Sequence, residues 1–162
     1  MKDYEAFKLA VRQRESSNNY RCVNTLGYLG AYQFGMARLC DLGLTRRKDP
    51  ESKGFSNDLF AFSGSITKDI FLNSPHLQDI TFDMHVHRLK NLLLKKYPSI
   101  STGIMVLNGT FKLELSGGIM VCHLVGPGAL DDLIHCAIDD KDAFGTKASD
   151  YAKLFAGFNI PC

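Results

Sequence analysis

Apolar residues recur at the three- and four-residue spacing of helices in several segments of the chain. Between residues 3 and 14, Tyr4, Phe7 and Val11 fall on one face, so we predict a first helix with Glu15 at or just past its C-terminal end. The following stretch, 16–34, has neither a helical period nor strand alternation. Its glycines predict a loop or a short hairpin.

The longest predicted helix begins after Ser74, an N-cap residue that is followed by Pro75 at the first helical position. It ends at a lysine pair just before Pro98. Its near-helical apolar period predicts a core-facing stripe made of Leu77, Ile80, Met84, Leu89, Leu92 and Leu93.

The remaining segments complete a mainly helical pattern. A short helix is expected around 35–42, with Gly43 as its stop, and 45–64 is expected to be irregular. Farther along, "SGGIMVCHLV" predicts a buried helix, and Pro127 is placed to start another. In the last amphipathic helix, "TKASDYAKLFAGF", the inward candidates are Tyr151, Leu154, Phe155 and Phe158. We therefore predict a mainly α (α+β) single domain spanning 1–162, with one small β-hairpin or loop after the first helix.

Composition narrows the possible function classes. A net charge of +2, without a basic tract, gives no indication of nucleic-acid binding. No apolar run reaches the roughly twenty residues of a membrane span, and the charged N-terminal segment lacks the apolar core of a signal peptide. The five cysteines form no CxxC motif, so we expect buried free thiols, with Cys122 and Cys136 in apolar helical segments.

Three separated segments resemble the lysozyme-like lytic transglycosylases and goose-type lysozymes. "ESSNNY" with "GYLGAYQFG" resembles the catalytic segment of that group, in which a Glu-Ser pair ends a helix before a turn rich in glycine that carries a glutamine. "VCHLVGPGALDDLI" is similar to its buried helix and Gly-Pro-Gly turn, and "GTKASDYAKLF" is similar to its terminal helix. The run "GYLGAYQFG" also resembles a subgroup found in phage-tail-associated and secreted cell-wall enzymes.

The resemblance implies a lysozyme-like fold that cleaves the β-1,4 bond between N-acetylmuramic acid and N-acetylglucosamine. It implies that Glu15 is the general acid/base and that no cofactor is needed. The aromatic residues that follow Glu15 would supply the apolar setting that favours a protonated carboxyl group. The residues implied to orient Glu15 or bind glycan are Ser16, Tyr28, Tyr32, Gln33, His123 and Tyr151.

Several alternatives stay open at this point. A muramidase usually needs a second carboxylate, for which Asp41, Asp131 and Asp142 are candidates, whereas lytic transglycosylases work with one Glu. The pair His123-Leu124 departs from the Tyr-Asn of the family, so a catalytically inactive module that binds cell-wall glycan or a partner protein is the alternative. Because "FDMHVHRL" brings two ligand types together, Asp83 and His87 are weak metal candidates on a helix surface expected to be solvated.

The substrate sets the expected place of action and the expected partners. A wall-cutting enzyme acts in the periplasm or outside the cell, so the resemblance implies export by a route that the sequence does not reveal. Peptidoglycan strands would be its ligand, and an immunity or inhibitor protein is a further candidate partner.

Overall fold

The computed structural model describes residues 2–161, and about half of the chain is helical. Two compact units can be distinguished: the first is Leu9–His85, and the second consists of the residues before Leu9 and after His85. The helices are α1 (Tyr4–Ser16), α2 (Met36–Asp41), α3 (Lys68–Asn73), α4 (Pro75–Lys96), α5 (Leu115–Leu124), α6 (Pro127–Asp131) and α7 (Ala148–Leu154). The strands are β1 (Thr45–Arg47), β2 (Phe60–Phe62), β3 (Ile104–Val106) and β4 (Phe111–Leu113).

Two small antiparallel strand pairs make the fold α+β. Strand β1 pairs with β2, with Thr45 opposite Phe62, and β3 pairs with β4, with Ile104 opposite Leu113. The first pair lies within 45–64, so the prediction of an irregular connection there is wrong. Neither pair directly follows α1. That stretch is a loop with isolated bridges from Leu29 to Val23 and to Phe34.

Aromatic rings form the core of the first unit. The ring of Tyr32 stacks on that of Phe82, with centroids 4.1 Å apart and planes 9° from parallel. Phe34 and Phe71 meet edge to face, with centroids 6.5 Å apart. Stacked and edge-to-face pairs are favourable aromatic geometries, so this cluster fixes the loop that carries Tyr32 and Phe34 against α3 and α4.

Helix α4 starts where Ser74 and Pro75 predicted, but much of its buried face differs from the predicted stripe. Leu89 and Leu93 are buried as expected, whereas Ile80, Met84 and Leu92 are 42%, 46% and 42% exposed. The buried face also carries polar residues. The fully buried members of α4 outside the predicted stripe are Gln78, Thr81, Phe82 and His85.

His85 lies away from the solvated surface that was expected for Asp83 and His87. Its side chain is fully buried, and its ring lies 5.7 Å from that of Phe34 in an edge-to-face arrangement. His87 is exposed, as expected, and its Nε2 lies 3.0 Å from the amide nitrogen of Asn91. The helix surface at this point is therefore solvated on one side only.

In the second unit, α5 is buried from Ser116 to Cys122, as its apolar sequence predicted. Gly117 allows α7 to approach closely, because a Cβ atom at this position would lie 2.6 Å from the carbonyl oxygen of Ala152. The inward positions of α7 and its continuation are confirmed for Tyr151, Phe155 and Phe158. Leu154 is 53% exposed, so its predicted inward position is wrong.

The cysteines occupy different environments. Cys122 is buried, as predicted, but Cys136 is exposed, so the expectation of a buried thiol is wrong for Cys136. Cys22 and Cys40 are half-buried free thiols, and Cys162 lies outside the described residues. Across residues 2–161, no helix is both long enough and apolar enough to cross a membrane.

Candidate active site

Glu15 lies in the last turn of α1, which extends to Ser16 and so runs slightly past its predicted end. Its side chain is half-buried, and the carboxylate oxygen Oε1 is buried. A carboxylate at a helix C-terminus interacts unfavourably with the helix dipole. The stability of α1 therefore gives no reason for a glutamate at this position.

Ser16 joins the end of α1 to the glycine-rich loop. Its Oγ donates a hydrogen bond to the carbonyl oxygen of Ala31 at 2.9 Å and accepts one from the backbone N–H of Asn19 at 3.0 Å. The next two residues, Ser17 and Asn18, have left-handed φ values of 54° and 62°. This sharp change of direction turns the chain immediately after Glu15 and Ser16.

Gln33 closes a tight turn within the loop. Its Nε2 donates to the carbonyl oxygen of Gly30 at 2.8 Å, and its own φ is 51°, which is left-handed. Only 9% of Gln33 is exposed. Left-handed conformations at residues other than glycine cost free energy and recur at functional sites. The amide nitrogen of Gln33 is thus bonded within the loop itself.

The two tyrosines implied to bind glycan have different settings. Tyr28 is 38% exposed, so part of the residue is accessible to a ligand. Tyr32 is fully buried in the aromatic core, and this position agrees with core packing. Of the pair, only Tyr28 has the exposure that direct stacking on a sugar ring requires.

Gln78 on α4 holds the loop at two points, and the sequence analysis missed it. Its Oε1 accepts the backbone N–H of Ala31 at 2.8 Å, and its Nε2 donates to the carbonyl oxygens of Tyr20 and Phe71 at 2.9 and 2.8 Å. Gly30 lies so close to it that a Cβ atom there would be 2.1 Å from Gln78 Oε1. No local pattern in the sequence indicates that a glutamine within a helix forms hydrogen bonds to the backbone of a distant loop.

Asp79, the next residue on α4, accepts hydrogen bonds from three side chains. Its Oδ1 accepts hydrogen bonds from the hydroxyl groups of Tyr20 at 2.9 Å and Tyr32 at 2.7 Å, and it lies 3.4 Å from Nη1 of Arg12. Arg12 Nη1 also donates to the Tyr32 hydroxyl at 2.8 Å. No local pattern marks Arg12, Tyr20 and Asp79 as neighbours, because their proximity depends on the fold.

Burial and these hydrogen bonds shift two pKa values in the cluster. Burial raises the pKa of the Tyr32 phenol far above its usual value, and the hydrogen bond to Asp79 raises it further. Burial lowers the pKa of Arg12, but the hydrogen bond to Tyr32 and the neighbouring charge of Asp79 outweigh it, so the net shift is upward. Tyr32 therefore stays a neutral hydrogen-bonding group between a cation and an anion.

The other predicted site residues belong to the second unit. His123 is half-buried in the last turn of α5. Tyr151 on α7 is 2% exposed, and its hydroxyl oxygen is buried without a hydrogen-bond partner within residues 2–161. The first unit thus brings together Glu15, Ser16, Tyr28, Tyr32 and Gln33 within one compact body.

Each candidate for a second carboxylate has local hydrogen-bond partners. Asp41 accepts from Arg38 at 3.0 Å on α2, in the first unit. Asp131 accepts from Lys96 and from the Tyr97 hydroxyl, and the charge and hydrogen bond of Lys96 outweigh burial and lower its pKa. The third candidate, Asp142, caps its own turn by accepting two backbone N–H groups.

No group of three or more potential metal-ligating side chains occurs in the described part of the chain, so Asp83 and His87 gain no further ligand there. Comparisons of the chain with known protein families, with curated proteins and with solved structures gave no match. The interpretation of the site therefore depends on the residues and on their geometry.

Proposed function

We propose that this chain has a lysozyme-like fold and cleaves peptidoglycan glycan strands at the β-1,4 bond between N-acetylmuramic acid and N-acetylglucosamine. Glu15 is the general acid/base in this proposal. The observation that carries it is the setting of Glu15 in the last turn of α1, with Oε1 buried and the following turn tied to the glycine-rich loop. The resemblance of "ESSNNY" and "GYLGAYQFG" to the catalytic segment of lytic transglycosylases supports the same assignment.

The chemistry requires a proton on the leaving oxygen while positive charge develops on the sugar. A carboxyl group with one oxygen shielded from water is suited to hold that proton, because desolvation disfavours the ionised form. In a lytic transglycosylase, the same Glu then takes the proton of the substrate's C6 hydroxyl, which attacks the anomeric carbon and forms a 1,6-anhydro ring. In a muramidase, a water molecule attacks instead.

The structure favours the one-carboxylate route. Asp41 shares the unit of Glu15 but is paired with Arg38, and Asp79 of the same unit is occupied by three donors. Ion pairing with an arginine reduces the negative charge that either carboxylate could direct at the positive charge developing on the sugar. We therefore propose a lytic transglycosylase in preference to a muramidase.

One residue of the loop, Tyr28, fits a glycan-binding role. Tyr28 offers a partly exposed aromatic ring, and flat aromatic faces pack well on sugar rings. Ser16 and Gln33 are committed to backbone groups, so in this proposal they orient the loop around Glu15. His123 and Tyr151 of the second unit remain proposed site residues through the resemblance alone.

The test is mass spectrometry of the soluble products released from purified peptidoglycan. A lytic transglycosylase gives muropeptides lighter by one water molecule than the hydrolysed products, because the anhydro ring forms without water. The variant Glu15→Gln keeps the size of the side chain but cannot deliver the proton. We expect it to lose activity by about a hundred- to ten-thousand-fold.

The matched control is Glu5→Gln on the same helix. Glu5 has 77% of its side chain exposed and pairs with Lys8 at 2.9 Å in the first turn of α1, so its replacement makes the same chemical change ten residues before Glu15 and leaves the end of the helix as it is. We expect Glu5→Gln to keep wild-type activity. Full activity in Glu15→Gln would refute the assignment of the acid.

A second candidate, a catalytically inactive module that binds cell-wall glycan or a partner protein, is favoured by one observation. His123-Leu124 stands where the resembling family has Tyr-Asn, and a leucine cannot replace the amide of asparagine. Wild-type protein that releases no muropeptide but co-sediments with peptidoglycan would support this candidate against the enzyme.

A further inference from the structure

The cluster of Arg12, Tyr20, Tyr32 and Asp79 is connected to the segment that carries Glu15 through Arg12. Arg12 lies three residues before Glu15 on α1, one helical turn away. Besides its contacts with Tyr32 and Asp79, Arg12 donates through Nε to the side-chain oxygen of Asn18 at 2.9 Å. Asn18 is the second of the two left-handed residues that follow Ser16. The guanidinium group thus holds the chain on both sides of Glu15.

The same cluster also holds the loop that follows α1, residues 16–34, through two of its tyrosines. Tyr20 and Tyr32, near the two ends of the loop, both donate to the same oxygen of Asp79. The guanidinium of Arg12 lies 5.7 Å from each of their ring centroids, which is within the range of a cation–π contact. One carboxylate oxygen on α4 therefore connects α1, the turn after it and both ends of the loop.

We propose that Asp79 is a positioning residue for Glu15, acting through Arg12, Tyr20 and Tyr32 and without contact to the substrate. This inference rests on the proposed function for its catalytic consequence, but the positioning itself is a property of the fold. Because Arg12 fixes the turn after Ser16 and Asp79 fixes Arg12, the direction of the last turn of α1 depends on a carboxylate far away in the sequence.

The charge of Asp79 is essential to this role. Arg12 has 14% of its side chain exposed, so its cation is poorly solvated and requires a nearby anion. The variant Asp79→Asn keeps the shape and an acceptor oxygen, but it removes that anion. We expect Arg12 to move toward water and to release Asn18, which shifts the end of α1.

The test combines enzyme kinetics with an NMR measurement of the Glu15 carboxyl carbon. The chain has four glutamates, so labelling their carboxyl carbons with ¹³C gives a simple NMR spectrum, in which Glu15→Gln identifies the Glu15 resonance. In Asp79→Asn, we expect this resonance to move while those of the other glutamates stay in place. On soluble glycan strands, we expect kcat to fall about ten- to a hundred-fold, the loss typical of a misplaced catalytic group, with KM changed less than about threefold.

The matched control is Asp139→Asn. Asp139 accepts two hydrogen bonds from Ser149, from its backbone N–H at 2.9 Å and its hydroxyl at 2.6 Å, and it lies in the second unit. It is also an aspartate engaged by hydrogen bonds, so its replacement has a comparable structural cost. We expect the Glu15 resonance and kcat to remain those of the wild type in this control.

The outcomes separate the inference from the proposed function. If the wild type is active, an unmoved Glu15 resonance or an unchanged kcat in Asp79→Asn overturns the positioning role. An inactive wild type refutes the proposed function, and the Glu15 resonance alone then decides the inference. Should Asp79→Asn fail to fold, Tyr32→Phe replaces it, because this variant keeps the stack on Phe82 and removes only the hydroxyl that bridges Arg12 and Asp79.

Discussion

Replacing Gln78 tests whether one buried amide holds the loop of the candidate site. In Gln78→Met, the side chain keeps a similar length and loses its polar end. The fully buried amide has three backbone partners, of which Phe71 keeps a hydrogen bond from Ser74 at 3.3 Å. Ala31 loses the acceptor of its buried N–H, and Tyr20 loses the donor to its carbonyl oxygen.

The expected cost follows from these two groups. A buried donor or acceptor left unsatisfied costs about 1–3 kcal/mol. Ala31 is fully buried, so its N–H bears the full penalty, whereas Tyr20 is half-buried and water can reach it in part. We therefore expect Gln78→Met to lower the free energy of unfolding by about 3 kcal/mol, which corresponds to a Tm roughly 6–12 °C lower for a chain of this size.

The assay is urea denaturation followed by circular dichroism, with calorimetry for Tm. Gln13→Met on α1 is the control, since Gln13 is exposed and the chemical change is identical. Exposed substitutions of this kind typically change stability by less than about 0.5 kcal/mol. If Gln78→Met is as stable as Gln13→Met, the hydrogen bonds of Gln78 do not hold the loop and the reasoning fails.

Two further predictions concern the same region. Gly30→Ala combines a left-handed φ of 77° with a Cβ atom 2.1 Å from Gln78 Oε1, so urea denaturation should show a loss of about 2–5 kcal/mol. Gly43→Ala, with a φ of 81° and open space around it, should lose only about 1–2 kcal/mol, and equal losses would contradict the steric argument. Burial, followed by the hydrogen bond to Asp79, raises the pKa of Tyr32, so its neutral form stabilises the fold fully below about pH 10, and this contribution is lost at higher pH. Tyrosinate absorbance should show Tyr32 ionising only as the protein unfolds, and its ionisation with unchanged circular dichroism would refute this.

Helices with local signals could be predicted from the sequence alone. Ser74 and Pro75 mark the start of α4, and Pro127 marks the start of α6, because capping and proline geometry act within a few residues. Helix α5 has apolar residues on nearly all sides, and this pattern likewise predicted its burial. The position of Glu15 at the end of α1 also followed from the sequence, because it depends only on where the helical period stops.

Short strands escaped the sequence analysis for a physical reason. Each of β1 to β4 is three residues long, too short to show an alternating pattern. Their stability comes from pairing with a partner elsewhere in the chain, as Thr45 does with Phe62. Local propensity therefore says little about them.

Which face of α4 is buried depends on contacts between residues that are far apart in the sequence. Counting apolar residues placed Ile80, Met84 and Leu92 inside, yet these side chains are substantially exposed, while Gln78 is fully buried. A polar side chain can be buried when its hydrogen-bond partners are buried with it. For Gln78 one of these partners is Ala31, 47 residues away, so folding had to bring the two together before the burial became favourable.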